Sequence, residues 1–87
     1  MLLGHDLAVA FERETGCALR ERELLGRSML IPEDDRFGSF GIVVGTLDDS
    51  VPLQFKTRTY GNNVLLVLWG KAKERQLDAA LKKIVRG

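Results

Sequence analysis

Apolar residues change their spacing along the chain, and each spacing predicts an element. Leu7, Ala10 and Phe11 recur at helical intervals, with Glu12, Arg13 and Glu14 on the other side. Asp6 supplies a short carboxylate for the free first-turn amides, and Gly16 a residue that tolerates a left-handed cap. A helix is predicted from about Asp6 to Thr15. Residues 17–25 are ambiguous. Ala18-Leu19-Arg20-Glu21-Arg22-Glu23-Leu24-Leu25 contains strong helix formers, which favours a helix closed by Gly26, while an exposed strand starting at Cys17 competes. Ser28-Met29-Leu30-Ile31, stopped by Pro32, reads as an edge strand or a packed connector.

Three strands are predicted next, at 41–47, 51–59 and 64–69. Asp48-Asp49-Ser50 supplies turn chemistry between the first two, and Tyr60-Gly61-Asn62-Asn63 a hairpin signal between the last two. Two short loops joining three strands imply an antiparallel meander. From Lys71 to Arg86, Leu77, Ala80, Leu81, Ile84 and Val85 form one apolar stripe of an amphipathic helix. The expected fold class is therefore α+β in a single domain spanning residues 1–87. Its parts are an N-terminal helical segment, a three-stranded meander and a C-terminal amphipathic helix.

The faces of these strands differ. In the second, Val51, Leu53, Phe55 and Thr57 form a dry side, against a wet side of Pro52, Gln54, Lys56, Arg58 and Tyr60. The third does not alternate: Val64, Leu66 and Leu68 take one face, and Leu65, Val67 and Trp69 the other. Ile42-Val43-Val44 is likewise apolar throughout. If helices cover only one face, then Val43, Leu65, Val67 and Trp69 form an apolar surface on the other, of the kind that marks an interface. The alternative is that the N-terminal helices cover that face and the C-terminal helix the first. A homodimer through the bare face, or a protein partner on it, is the expectation of the first arrangement.

Composition narrows the classes. With 87 residues there is room for one domain, and with one Cys there is no intramolecular disulfide. No 18-residue apolar run is present, and Met1 to Asp6 lacks a basic start followed by a long apolar core. The expectation is a soluble cytoplasmic protein with no membrane partner. The net charge of +1 conceals two unlike halves. Residues 1–53 carry five basic and ten acidic side chains, a net −5, and residues 54–87 carry eight basic and two acidic, a net +6. The halves can attract one another within one chain or between two copies, or the basic half can meet an anionic partner.

Candidate chemistry is sparse. His5 has no third group to orient it as a base, and Cys17 sits among acids that oppose thiolate formation. Glu33, Asp34, Asp35, Asp48 and Asp49 do not follow a calcium-loop spacing. The glycines of residues 38–45 lead into a strand instead of a helix N-terminus, so close backbone packing or a bulge is expected, not a phosphate loop. Neither cofactor nor metal is implied. The first expectation is a non-enzymatic interaction or assembly module. The alternative is nucleic-acid binding by Lys56 and Arg58 with Tyr60 stacking, joined by Lys71, Lys73, Arg75, Lys82 and Lys83 of the C-terminal helix. A small-ligand pocket near Phe37, Phe40, Tyr60 and Trp69 is a third possibility.

Overall fold

A computed structural model of the chain describes residues 4–24, 27–45, 55–61 and 63–86. Helix α1 (Gly4–Thr15) is followed by strands β1 (Leu19–Leu24), β2 (Arg27–Pro32), β3 (Gly38–Val44), β4 (Lys56–Tyr60) and β5 (Val64–Ala72), and by helix α2 (Glu74–Arg86). The strands form one antiparallel sheet in the order β1-β2-β3-β5-β4. The α+β class stands. Among the described residues, no helix is long and apolar enough to cross a membrane.

The predicted meander is corrected in two ways. The sheet has five strands, and β5 lies between β3 and β4, so β3 and β4 run parallel on either side of it. The physical reason lies in β5 itself. Val64 to Leu68 are all buried, whereas Lys56 to Thr59 are all exposed. A strand with no polar face must be flanked and covered on every side, and a strand of charged and hydroxyl residues is suited to an edge.

Residues 19–24 form a strand, not the helix their propensities favour. They pair with β2 from Leu19↔Pro32 to Leu24↔Arg27, and Leu19 packs against the main core. Ladder hydrogen bonds and burial override a propensity advantage of a few tenths of a kcal/mol per residue, ~0–0.7 on the helix scale. The Ser28–Ile31 run is an interior strand, with β1 and β3 on its two sides. The proposed Gly26 cap, the Asp48-Asp49-Ser50 turn and residues 51–54 of the second predicted strand lie outside the described residues.

The helix ends follow local chemistry. α1 begins at Gly4, so Asp6 is a first-turn acid at the positive end of the helix dipole and not the cap. Gly16 closes it at φ +78°, its amide donating to the Glu12 carbonyl at 2.7 Å. β5 continues through Gly70 to Ala72, so Lys71 belongs to the strand, and α2 starts three residues later than its apolar stripe suggested. The Lys73 amide donates to Phe37 O at 2.8 Å, which ties this junction to the turn before β3.

Both helices lie on one face of the sheet. Leu7 and Phe11 of α1 and Leu77, Ala80 and Leu81 of α2 share a core with Leu30, Phe40, Ile42, Leu66 and Leu68. Phe11 is central, with Phe40 at 5.9 Å and an edge-on Phe37 at 6.2 Å between ring centroids. Burying each of the large aliphatic side chains stabilises by about 1.5–3 kcal/mol. The opposite face carries a second cluster of Met29, Val43, Leu65 and Val67, with Ile31, Phe55 and Trp69 packed against it. The arrangement with α1 on one face and α2 on the other is thus overturned.

One glycine lets the β3 and β5 backbones approach, and a second makes room for the Trp69 ring. Gly38 sits at φ +89°, and a Cβ there would drive into the Lys71 carbonyl and lie 2.6 Å from Ala72 Cα. The register shifts between Gly38 and Phe40, a bulge of the type expected for this stretch. At Gly41 a Cβ would lie 2.5 Å and 2.8 Å from two atoms of the Trp69 ring. Gly38→Ala combines left-handed strain with a backbone collision, and should cost at least ~2 kcal/mol. Urea unfolding followed by the single tryptophan measures it, and an unchanged midpoint would contradict this close approach.

Candidate functional site

Cross-strand partners share a face, so the register places every side chain of the second face. From edge to edge it carries Arg20 and Arg22 of β1, Met29 and Ile31 of β2, Gly41 and Val43 of β3, Leu65, Val67 and Trp69 of β5, and Thr57 and Thr59 of β4. An apolar centre is therefore bordered by arginines at one edge and threonines at the other. The four residues expected to form an interface are together here, but not equally presented. Val67 is 0% exposed, and Val43 and Leu65 are nearly as buried in the single chain. They offer almost no area to a second molecule. Trp69 is only partly buried, as are Ile31 and Phe55 beside it. The Phe55 and Trp69 rings meet edge to face, 6.3 Å apart. Trp69 can lie flat on the sheet because Gly41 has no side chain beneath it.

The basic residues expected to meet phosphate are distributed differently. Lys56, Arg58 and Tyr60 share the helix face, alongside α2. Glu74 and Asp78 are one turn apart on α2, on the side that meets β4. Lys56 Nζ bridges Glu74 Oε1 at 2.8 Å, and Arg58 Nη2 bridges Glu74 Oε2 at 2.6 Å. The Arg58 Nε also donates to Glu74 Oε2, at 2.7 Å, and its Nη1 lies 3.6 Å from Asp78 Oδ1. Tyr60 is buried, and its hydroxyl donates to Asp78 Oδ1 at 2.7 Å. The predicted wet side of this strand is thus corrected at Tyr60, whose ring lies in the core and is not free to stack on a base. On the helix itself, Lys82 bridges Asp78 at 3.1 Å, and Lys83 reaches Glu14 of α1 at 3.0 Å.

This clamp sets the local acid–base behaviour. Hydrogen bonds from Lys56 and then Arg58 hold the Glu74 carboxyl below its ordinary range. Hydrogen bonds from Tyr60 and then Lys82 do the same for Asp78. Burial, followed by the hydrogen bond to Asp78 and its negative charge, pushes the Tyr60 phenol well above the ordinary tyrosine value. The Arg58 guanidinium is raised by its hydrogen bond to Glu74.

Lys71, Lys73 and Arg75 are exposed and make no ion pair with another described residue. Lys71 and Lys73 border an open depression of about 280 Å³ with Asp35, Arg36 and Phe37. The expected ligand pocket does not assemble: Phe37 and Phe40 border the helix-side core, and Trp69 lies on the opposite face.

The remaining candidates have structural partners or stand apart. Cys17 is buried, with its sulfur 3.8 Å from Asp34 Oδ1. Burial, then the Asp34 charge, raises its thiol pKa, opposite to what a nucleophile needs. Asp34 accepts from the Arg36 amide at 3.0 Å and from its Nε at 3.1 Å, and these contacts lower its own pKa. His5 is exposed near the start of α1. Asp48 and Asp49 lie outside the described residues. Among the described residues, no three His, Cys, Asp or Glu side chains are grouped to hold a metal ion.

Sequence reasoning missed Met29, Ile31 and Phe55 on the second face, and the pairing of β4 with α2. The signal for the latter was present as Lys56 and Arg58 two apart on a strand and Glu74 and Asp78 four apart on a helix. These two spacings match only when strand and helix are neighbours.

The tyrosine is the only one in the chain, so its ionisation reads out the clamp directly. At pH 10, where a free tyrosine is half ionised, the folded chain should show no phenolate absorbance, and the urea-unfolded chain should show about half of its full phenolate absorbance. Since the folded pKa is raised, this contribution to stability is complete below pH 10 and is lost as pH rises toward the folded value. Identical titrations in the two states would mean that Tyr60 is not held by Asp78. Compared with known proteins, the chain matches no protein-family model, no curated protein and no solved structure.

Proposed function

We propose that this chain is a non-enzymatic protein-interaction module that docks through the second sheet face, with a second copy of itself as the occupant. The observation that carries the reading is the asymmetry of the sheet. Both helices pack on one face, and the other ends in a ridge of partly buried Ile31, Phe55 and Trp69 beside Arg20 and Arg22. Partly buried aromatic and aliphatic groups gain from further desolvation, and an aromatic pair with arginines on the same face has the composition of an interface. A two-fold axis through such a ridge would pair it with itself. The partnered polar groups have structural duties: Tyr60, Glu74 and Asp78 join β4 to α2, and Asp34 orders the turn before β3.

Light scattering at low salt and near 1 M salt tests this reading. A mass of two chains at both salts is expected, because an apolar contact is not screened. Trp69→Glu, and independently Ile31→Lys, should give folded monomers by circular dichroism. A monomer throughout would overturn the homodimer, and a dimer that dissolves at high salt would replace the ridge with the opposite charges of the two halves.

A second reading keeps one specific observation, Lys71, Lys73 and Arg75 where β5 meets α2, which make no ion pair among the described residues. An anionic polymer such as nucleic acid would meet these three cations, without Tyr60 and with Lys56 and Arg58 already neutralised. Binding of a single-stranded oligonucleotide by so few contacts should weaken by roughly 2 decades per decade of salt, at about 0.7 for each neutralised phosphate. Fluorescence anisotropy measures the slope, and no binding at low salt removes this reading.

A further inference from the structure

β1 is an edge strand whose charges are sorted by face. Arg20 and Arg22 stand on the second face opposite Ile31 and Met29, while Glu21 stands on the helix face opposite Leu30, and Glu23 opposite Ser28. All four are exposed. Arg20 is bridged to Glu33 at 3.3 Å, and Glu21, Arg22 and Glu23 make no ion pair with another described residue.

This sorting has a geometric consequence for self-association. Two folded copies can join β1 to β1 antiparallel only about a two-fold axis normal to the sheet. Such an axis reverses strand direction and the left-to-right order together, and leaves the helix face on the same side. Side chains directly opposite then come from the same face in both copies. In any register, a charged residue that meets another charge meets its own sign, arginine against arginine or glutamate against glutamate. Parallel pairing of two β1 strands, about an axis along the strand, would set arginine against glutamate, but a parallel ladder is the less stable of the two. The other edge gives no antiparallel escape. Joining β4 to β1 of a second copy antiparallel turns the faces over, which sets Lys56 and Arg58 against Arg20 and Arg22. An extended segment that is not itself part of a folded sheet has no such restriction, and can present either side.

We propose that the β1 edge accepts an antiparallel strand from another protein, an extended segment of alternating arginine (or lysine) and glutamate, and is closed to antiparallel pairing with a second folded copy. The charge order of β1 specifies the occupant: glutamate opposite Arg20 and Arg22, and a basic residue opposite Glu21 and Glu23. Its backbone would complete the outward-facing hydrogen bonds of β1, with the alternate side chains setting register. This edge borders the Ile31–Phe55–Trp69 ridge, with Arg20 opposite Ile31, so the test uses the Trp69→Glu chain, in which the ridge contact is removed.

The capped peptide Leu-Arg-Glu-Arg-Glu-Leu fulfils that order in the antiparallel register and serves as the probe. Titrated into isotope-labelled chain at low salt, it should shift amide resonances of β1 ahead of all others. The isomer Leu-Arg-Arg-Glu-Glu-Leu should bind at least fivefold more weakly, and 1 M salt should abolish the difference. Arg22→Glu in the chain should weaken the first peptide at least fivefold, and a peptide with arginine at the facing position should restore it. Concentrating the Trp69→Glu chain alone should leave the β1 amides unshifted. Equal binding of the two isomers, no response of β1 at millimolar peptide, failure of the restored pair, or β1 shifts on concentrating the Trp69→Glu chain would each overturn the proposal.

Discussion

A strand with no polar face governs this structure. Val64 to Leu68 bury every side chain, which is possible only if β5 has a strand on each side and packing on both faces. Its position between β3 and β4 follows, and so does the division of the interior into two clusters. The helix-side cluster takes Val64, Leu66 and Leu68, and the other takes Leu65 and Val67. The close approach of β3 to β5 in turn requires Gly38 where the backbones cross and Gly41 under the Trp69 ring. A Cβ at Gly38 would push the two backbones apart, and one at Gly41 would displace the Trp69 ring from the second face.

The charge asymmetry of the two halves resolves largely into local contacts. The basic residues of β4 are answered by the two acids of the basic half itself, Glu74 and Asp78, and Lys83 is answered by Glu14 across the two helices. These are exposed pairs, each contributing modestly in water. Their joint effect is to hold α2 alongside an edge strand that carries few apolar residues, with buried Tyr60 as the anchor. A basic stripe in the sequence is thereby converted into a structural seam, and the cations left over are those at the β5–α2 junction.

The two ends of the sheet illustrate how charge serves an edge. β4 carries lysine and arginine answered by two carboxylates of α2, whereas β1 presents alternating arginine and glutamate along its exposed length. Charged edge strands resist indiscriminate pairing. Here the resistance is directional, because each face carries one sign.

Much of this was legible in the residues. The α+β class, both helices, the Gly16 cap, the hairpin before Val64 and the two-sided apolar character of 64–69 all rest on local rules: apolar period, turn chemistry and the conformational freedom of glycine. Those rules act over a few residues and need no partner. The strand nature of 19–24 was hidden because its composition favours a helix, and only pairing with β2 outweighs that preference. The strand order was hidden because proximity in sequence suggests proximity in space, whereas burial placed β5 between its predecessors. The candidate site divided along the same line. The sequence alone determined that Leu65, Val67 and Trp69 share one side of a strand, since alternation is a property of the strand, and the register of β3 on β5 added Val43 to them. Tertiary structure decided that Val67 is sealed while Trp69 is not, and that Lys56, Arg58 and Tyr60 face two carboxylates, because exposure and ion pairing depend on which distant segments pack nearby.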